Sequence, residues 1–296
     1  MAYDLKKKLV IAISSRALFD LEEENKMFEK KGLKKYYKYQ IKNENKLLKR
    51  GAAFDFVKNI LRINKHFDDK LIEVIILSRN NAATGLRIKN SIDRYKLNVE
   101  RAGWTAGTPI SNYLKAFDVD LFLSVHEKDV QEAINEGIAA ARIIPKKYKK
   151  DNKSKDVHIA FDGDAVLFSD ASEKIYQKHG LDAFVKHEKK NAKNPLPKGP
   201  FAKLLKVISK IQKRFPMEKA PIRTSLITAR DFATFERVIR TFNAWDVRVD
   251  EAFFLGGVEK RRVVKSFKAD IFFDDQDVHL DKTSQSTPSA KVPYIR

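Results

Sequence analysis

The sequence predicts an α/β fold built on a mostly parallel sheet, and three observations carry that expectation. Short β-rich apolar runs alternate with helix-periodic segments along the chain, the pattern of a parallel sheet covered on both faces. The second half repeats the apolar framework of the first at an offset of about 150 residues, a domain-sized duplication rather than a solenoid repeat. Acidic residues stand at the ends of two second-half runs, and open α/β sheets bind their ligands at strand ends.

The predicted strands are Leu9 to Ile13, Leu71 to Leu77 and Asp120 to Ser124, then Val157 to Phe161, Ile222 to Ile227, Ala252 to Leu255 and Asp270 to Phe273. A helix follows Thr228, because Phe232, Phe235, Val238, Ile239 and Phe242 recur at three- and four-residue spacing. Arg237 and Arg240 fall on its other side. A helical insert of about 172–213 follows the first strand of the second half and includes a loop containing Pro195, Pro197, Gly199 and Pro200. So near the strand ends, it could cover a site and exclude water. The polar stretch 145–156 reads as an exposed linker, dividing the chain into domains at 1–150 and 151–296. The Ser-, Thr- and Pro-containing tail after Asp281 is expected to be irregular, with Val292-Pro293-Tyr294 able to dock.

The repeat makes the halves comparable position by position. Gly32 and Gly51 match Gly180 and Gly199, and further on Ala83, Thr84, Arg87, Asp120 and Phe122 match Ala233, Thr234, Arg237, Asp270 and Phe272. At the strand ends the correspondence breaks. Asp162 falls on Ser14, Asp164 on Arg16, Thr228 on Ser78, Lys260 on Ile110, Asp274 on Ser124 and Asp275 on Val125. A structural role would serve both copies equally, so chemistry is expected in the second half alone.

Composition narrows the classes. The 296 residues are 43% hydrophobic, enough for a sizeable core, and contain no cysteine. That excludes disulfides, thiolate metal sites and a cysteine nucleophile. The apolar run near the start is too short for a signal-peptide core or a membrane span, so a soluble cytoplasmic protein without a membrane partner is expected. The net charge of +20 favours anionic partners. The lysines are dispersed and do not alternate with aromatics as a stacking platform would, which argues against nucleic acid and for a solvated basic face.

Four second-half segments carry the candidate chemistry: Asp162-Gly163-Asp164, Thr228-Ala229-Arg230, Gly256-Gly257-Val258-Glu259-Lys260 and Asp274-Asp275. Side chains two apart on an extended chain face the same way. Two carboxylates about 4 Å apart repel by about 4 kcal/mol at an effective dielectric near 20. Such a pair shares a proton or holds a hard cation; a solvated Asp-Gly-Asp turn fits the same residues. The four segments together offer acids for a metal, a hydroxyl and a helix N-terminus for phosphate oxygens, and an ammonium for developing charge. Thr228 also suits a plain helix cap, Arg230 a helix-covering role and Phe168 core packing. Lys265 matches Lys115 and reads as structural, and the six histidines lack ligand spacing.

With these four segments in order, the chain resembles the haloacid dehalogenase superfamily of phosphotransferases and, more closely, the class I cytosolic 5′-nucleotidases. The stretches Ile159 to Asp170, Ala252 to Gly257, Ile271 to Gln276 and Ser14 to Asp20 carry the likeness, which runs over about residues 9 to 276. The resemblance implies Rossmann-like parallel sheets in tandem haloacid dehalogenase-like halves with a small helical cap, the first half being non-catalytic. It implies Mg²⁺-dependent hydrolysis of nucleoside 5′-monophosphates to nucleoside and phosphate. Asp162 would be the nucleophile and form an aspartyl-phosphate, and Asp164 the general acid and base. Thr228, Ala229, Arg230 and Lys260 would hold the substrate, with Thr228 and Lys260 also acting in catalysis. Mg²⁺ would sit on Asp162, the Asp164 carbonyl and the acidic pair, with Asp275 the favoured direct ligand and Asp274 its support. Another small phosphate ester as substrate, or nucleic-acid binding with a vestigial site, are the rival expectations, and a homo-oligomer is left open.

Overall fold

The structure is a computed structural model describing residues 3–146, 148 and 156–295. Most of the predicted linker at 145–156 lies outside the described residues. Ten strands form one sheet: β1 Leu9–Ile13, β2 Ile72–Ser78, β3 Arg101–Trp104, β4 Leu121–Ser124, β5 Ala139–Ile143, β6 Val157–Phe161, β7 Ile222–Thr228, β8 Glu251–Phe254, β9 Ile271–Asp274 and β10 Ser289–Lys291. Their order is β8-β7-β6-β9-β10-β5-β4-β1-β2-β3. Within this sheet every pairing is parallel except β10 with β5, the pair that joins the halves. The mixed α/β, Rossmann-like architecture is as expected, with all seven predicted strands present.

Strand order in the second half retraces that of the first. From the seam outwards, β5-β4-β1-β2-β3 runs one way and β10-β9-β6-β7-β8 the other. β1 and β6 are the third strands from the seam, and β1 is buried along its whole length, as a doubly covered parallel strand must be. One apolar cluster runs from Leu9 to Val292 through both halves. Across the boundary, Asn59 donates to Asp270 at 2.8 Å and Phe67 packs on Phe215 with ring centroids 4.8 Å apart.

Corresponding contacts recur with exchanged chemistry. Glu73 on β2 pairs with Arg101 on β3 at 2.6 Å; on β7 and β8 the partners are Arg223 and Glu251 at 2.8 Å, the same cross-strand bond with its signs reversed. Asp120 accepts from the Val10 amide at 3.0 Å, and Asp270 accepts from the His158 amide at 2.8 Å. Each half also carries a long helical segment broken at a left-handed glycine, residues 22–42 at Gly32 and 171–190 at Gly180. Without a Cβ, glycine takes that conformation at little cost.

Two expectations are corrected. The tail is not irregular throughout: Asp277–Thr283 is helical and Ser289–Lys291 is the seam strand. Its backbone donors and acceptors are needed by β9 and β5 on either side, which outweighs its weak local β propensity. Arg237 is not on a solvent face; it is buried against Glu188 at 2.7 Å, whereas Arg240 stays outside, paired with Glu236. The helix there starts only at Phe235, after a short turn of 3₁₀ helix at Phe232–Thr234, and Phe232 is exposed.

Gly199 is required for close approach. A β-carbon there would lie 2.3 Å from the Phe168 carbonyl oxygen, and one on its counterpart Gly51 would lie 2.8 Å from the Leu18 and Phe19 backbone. The obstacle is main chain and cannot swing aside. Gly199→Ala is therefore expected to cost about 3 kcal/mol, the upper end of overpacking penalties, read as a drop in the urea midpoint; an unchanged midpoint would contradict the packing.

Candidate active site

β6, β7 and β9 end side by side, and the register fixes which side chains meet. Phe161 pairs with Phe273 and with Leu226, so Asp162 lies level with Asp274, and Gly163 level with Thr228. The Thr228 hydroxyl sits 3.2 Å from where a Gly163 β-carbon would be; a side chain at 163 would crowd it. Beyond Asp162 the chain makes a wide turn through Ala165, at φ +59°. A left-handed alanine is strained, and such strain concentrates at functional sites. The first half turns differently there, with a short helix at Ser15–Leu18 in which the Ser14 hydroxyl accepts from the Ala17 amide.

One oxygen each from Asp162, Asp274 and Asp275 falls within 4.8 Å of the others. All three residues are buried. Lys260, 1% exposed, bridges two of them, at 2.8 Å from Asp162 Oδ1 and 2.7 Å from Asp274 Oδ2. Burial would lower the Lys260 pKa, but the two carboxylates outweigh it and hold it above the usual lysine range. Asp274 is further held by the Gln276 amide at 2.9 Å. Asp275 is placed otherwise: Oδ2 accepts from the Tyr294 hydroxyl at 2.6 Å, while Oδ1 is buried without a hydrogen-bond partner among the described residues. Tyr294 arrives from the tail behind a buried Val292, so the docking segment contributes to the site.

A divalent cation fits this donor set. Three hard oxygen donors converge, and an orphaned buried carboxylate oxygen is costly unless something positive meets it. Asp162, Asp274 and Asp275 would hold the ion, which would offset charge repulsion between an acidic site and an anionic ligand.

Asp164 is held outside that cluster. Arg230 donates to both its oxygens at 2.7 Å and to Glu188 at 2.6 Å. Burial would depress the Arg230 pKa, but Asp164 and Glu188 raise it instead. Thr228 accepts from the Arg230 amide at 3.2 Å and caps no α-helix. Ala229 lines the cavity over the site with Asp162, Asp164, Thr228 and Arg230. That cavity measures about 460 Å³, and the segment 171–190 closes one side with Glu173, Tyr176 and Phe184. Phe168 is core, packed on Phe242 and Trp245.

Sequence reasoning missed Glu188, Glu173 and Gln276. Glu188 alone carried a signal. It matches Gln40 and Ser172 matches Glu24, so the repeat moves one carboxylate between two positions around matched arginines. Arg87 takes Glu24 at 2.8 Å and Gln40 at 3.1 Å; Arg237 takes Glu188, which Ser172 also contacts at 2.9 Å.

The acidic cluster sets a pH dependence. Burial, then repulsion from Asp162 and Asp274, pushes Asp275 up to about 8. Burial pushes Asp162 up to about 6 against the pull of Lys260. Folded pKa values above the unfolded value of about 3.9 add stability that is complete below about pH 4 and is lost as pH rises through 6 and 8. A cation needs the ionised forms and reverses that loss. Adding a divalent cation should therefore raise the melting temperature more above pH 8 than below pH 6; equal shifts would contradict the assignment.

Among the described residues no helix is long and apolar enough to cross a membrane. A family model described as 5′-nucleotidase matches residues 1–296. The chain is similar to cytosolic 5′-nucleotidase 1B of Homo sapiens, 37% identical over 287 residues, covering 93% of this chain and 47% of that protein. It thus spans about half the length of that curated relative. No solved structure matches the chain significantly.

Proposed function

The chain belongs to the 5′-nucleotidase family, and from that premise we propose that it is a cytosolic Mg²⁺-dependent phosphomonoesterase hydrolysing nucleoside 5′-monophosphates. The observation that carries the reading is the convergence of Asp162, Asp274 and Asp275 around Lys260 at the ends of β6 and β9. Residues 151–296 are taken as the catalytic haloacid dehalogenase-like domain with a helical cap at 172–213, and residues 1–150 as its non-catalytic copy.

In this reading an Asp162 oxygen attacks phosphorus, the ester P–O bond breaks, and Asp164 protonates the departing oxygen. Water, deprotonated by Asp164, then attacks the phosphorus of the aspartyl-phosphate. Its P–O bond to Asp162 breaks, releasing phosphate and the free carboxylate. Arg230 donates to both oxygens of Asp164, so to pass a proton to the departing oxygen Asp164 must first part from Arg230. Thr228 and the Ala229 amide would hold phosphoryl oxygens, and Lys260 would keep Asp162 ionised and aligned. Mg²⁺ would supply electrostatic compensation for the anionic substrate, with Asp275 as direct ligand, because its buried Oδ1 lacks a partner among the described residues, and Asp274, whose oxygens already accept from Lys260 and the Gln276 amide, as support.

The test is phosphate release from a panel of nucleoside and sugar monophosphates, with Mg²⁺ and with a chelator. Metal-dependent release, fastest from nucleoside 5′-monophosphates, is expected. Faster release from sugar phosphates would keep the chemistry and replace the substrate; no release from any ester would remove the reading.

A further inference from the structure

The first half has its own cavity, of about 640 Å³, at the ends of β1, β2 and β4, the counterparts of β6, β7 and β9. Ser14, Arg16, Ser78 and Ser124 line it where the second half has Asp162, Asp164, Thr228 and Asp274. With those acids gone, this floor cannot hold a divalent cation. What remains is a set of donors. Ser14 and Ser124 follow Ile13 and Leu123, which are paired across β1 and β4. Their hydroxyls accept from the amides of Ala17 at 3.3 Å and His126 at 3.1 Å. Neither hydroxyl has an acceptor for its own proton among the described residues. Arg16 gives one nitrogen to Glu22 at 2.9 Å, while its Nε is buried and has no partner among the described residues. Of the carboxylates that line the cavity, Asp129 is paired with Arg79 and Glu24 with Arg87, while Glu29, on the helical wall, accepts from the Asn25 side-chain amide.

Two hydroxyls with protons to give and a guanidinium only partly engaged by Glu22, all lining one cavity, suit a tetrahedral oxyanion. The wall above is apolar: Phe28 and Leu33, from the broken segment 22–42, line the same cavity and are 44% and 64% exposed. An inorganic ion would leave that wall wet. An ester with an organic group of ordinary metabolite size would cover it, within the volume range of small-molecule sites.

We propose that the first-half cavity binds a small phosphate monoester without a metal ion and without hydrolysing it, the phosphoryl group resting on Ser14, Arg16 and Ser124 and the organic group on Phe28 and Leu33. No carboxylate stands at position 14 to attack phosphorus, so the ligand is held and released intact. This inference does not depend on hydrolysis in the second half.

The experiment titrates full-length Asp162→Asn protein with phenyl phosphate and with inorganic phosphate in the presence of EDTA, by calorimetry. Saturable one-to-one binding is expected, tighter for phenyl phosphate. Adding Arg16→Met should weaken it about tenfold or more, the weight of a charge-assisted contact, and Ser14→Ala by a smaller factor, both with unchanged circular dichroism. No saturation at millimolar ligand, or binding that survives Arg16→Met, overturns the proposal. Equal affinity for the two ligands overturns the placing of the organic group. Nucleotide hydrolysis by the single Arg16→Met variant with Mg²⁺, expected within a few-fold of the parent, reports on the second-half reading separately.

Discussion

Replacing Asp162 with asparagine is expected to lower phosphate release by roughly 10⁴-fold or more, as removal of a covalent nucleophile does. The amide has nearly the same shape but no charge to attack phosphorus, and it removes one donor from the acidic cluster. The same change should not unfold the protein. Burial raises the Asp162 pKa, so the metal-free fold bears the charge reluctantly and a neutral amide there relieves it. Activity and stability should part company: turnover lost, melting temperature without metal unchanged or higher at pH 7. Ser14→Ala, at the matching position of the first half, should leave turnover within a few-fold. Near-parental turnover by Asp162→Asn in a metal-supplied assay would sink the nucleophile assignment.

Glu188→Ala is expected to cost about 3–5 kcal/mol, the range for breaking a buried ion pair from one side. Glu188 is 1% exposed and faces two guanidiniums, Arg230 at 2.6 Å and Arg237 at 2.7 Å. Burial alone would raise its pKa, but the arginines outweigh it and hold it below the usual glutamate range. Its contribution is therefore present at neutral pH and disappears as pH falls below about 4.3. Alanine would leave both arginines without that partner. Because Arg230 also grips Asp164, the variant should lose activity beyond what its unfolded fraction explains. Chemical denaturation at pH 7 measures the first effect, and an unaltered midpoint would refute it. Ser172→Glu added to Glu188→Gln should recover part of the loss, since that is the arrangement Glu24 and Gln40 make around Arg87.

How much of this was legible in the sequence depended on whether a feature was local. Val157–Phe161 and Leu9–Ile13 are dense β-branched and apolar runs, and both were readable to the residue. Ala139–Ile143, Ser289–Lys291 and Arg101–Trp104 were not, because AAARI, SAK and RAGW have little strand propensity of their own. They are strands because a neighbour offers them a ladder. The acids at 162, 164, 274 and 275 could be found because each lies at the end of a recognisable run. Tyr294 on Asp275 and Glu188 on Arg230 join residues distant in the chain, and periodicity carries no trace of such contacts. Arg237 misled for the same reason: helical spacing placed it opposite the apolar stripe, but the segment 171–190 lies against that side too.

The single antiparallel pairing at the seam, β10 against β5, has a spatial consequence. Because it reverses chain direction, the carboxyl ends of one half's strands and those of the other point to opposite rims of the same sheet. The two cavities therefore open back to back. A molecule leaving one mouth must travel through bulk water around the protein to reach the other, so each fills from solution on its own and no intermediate can be handed directly between them.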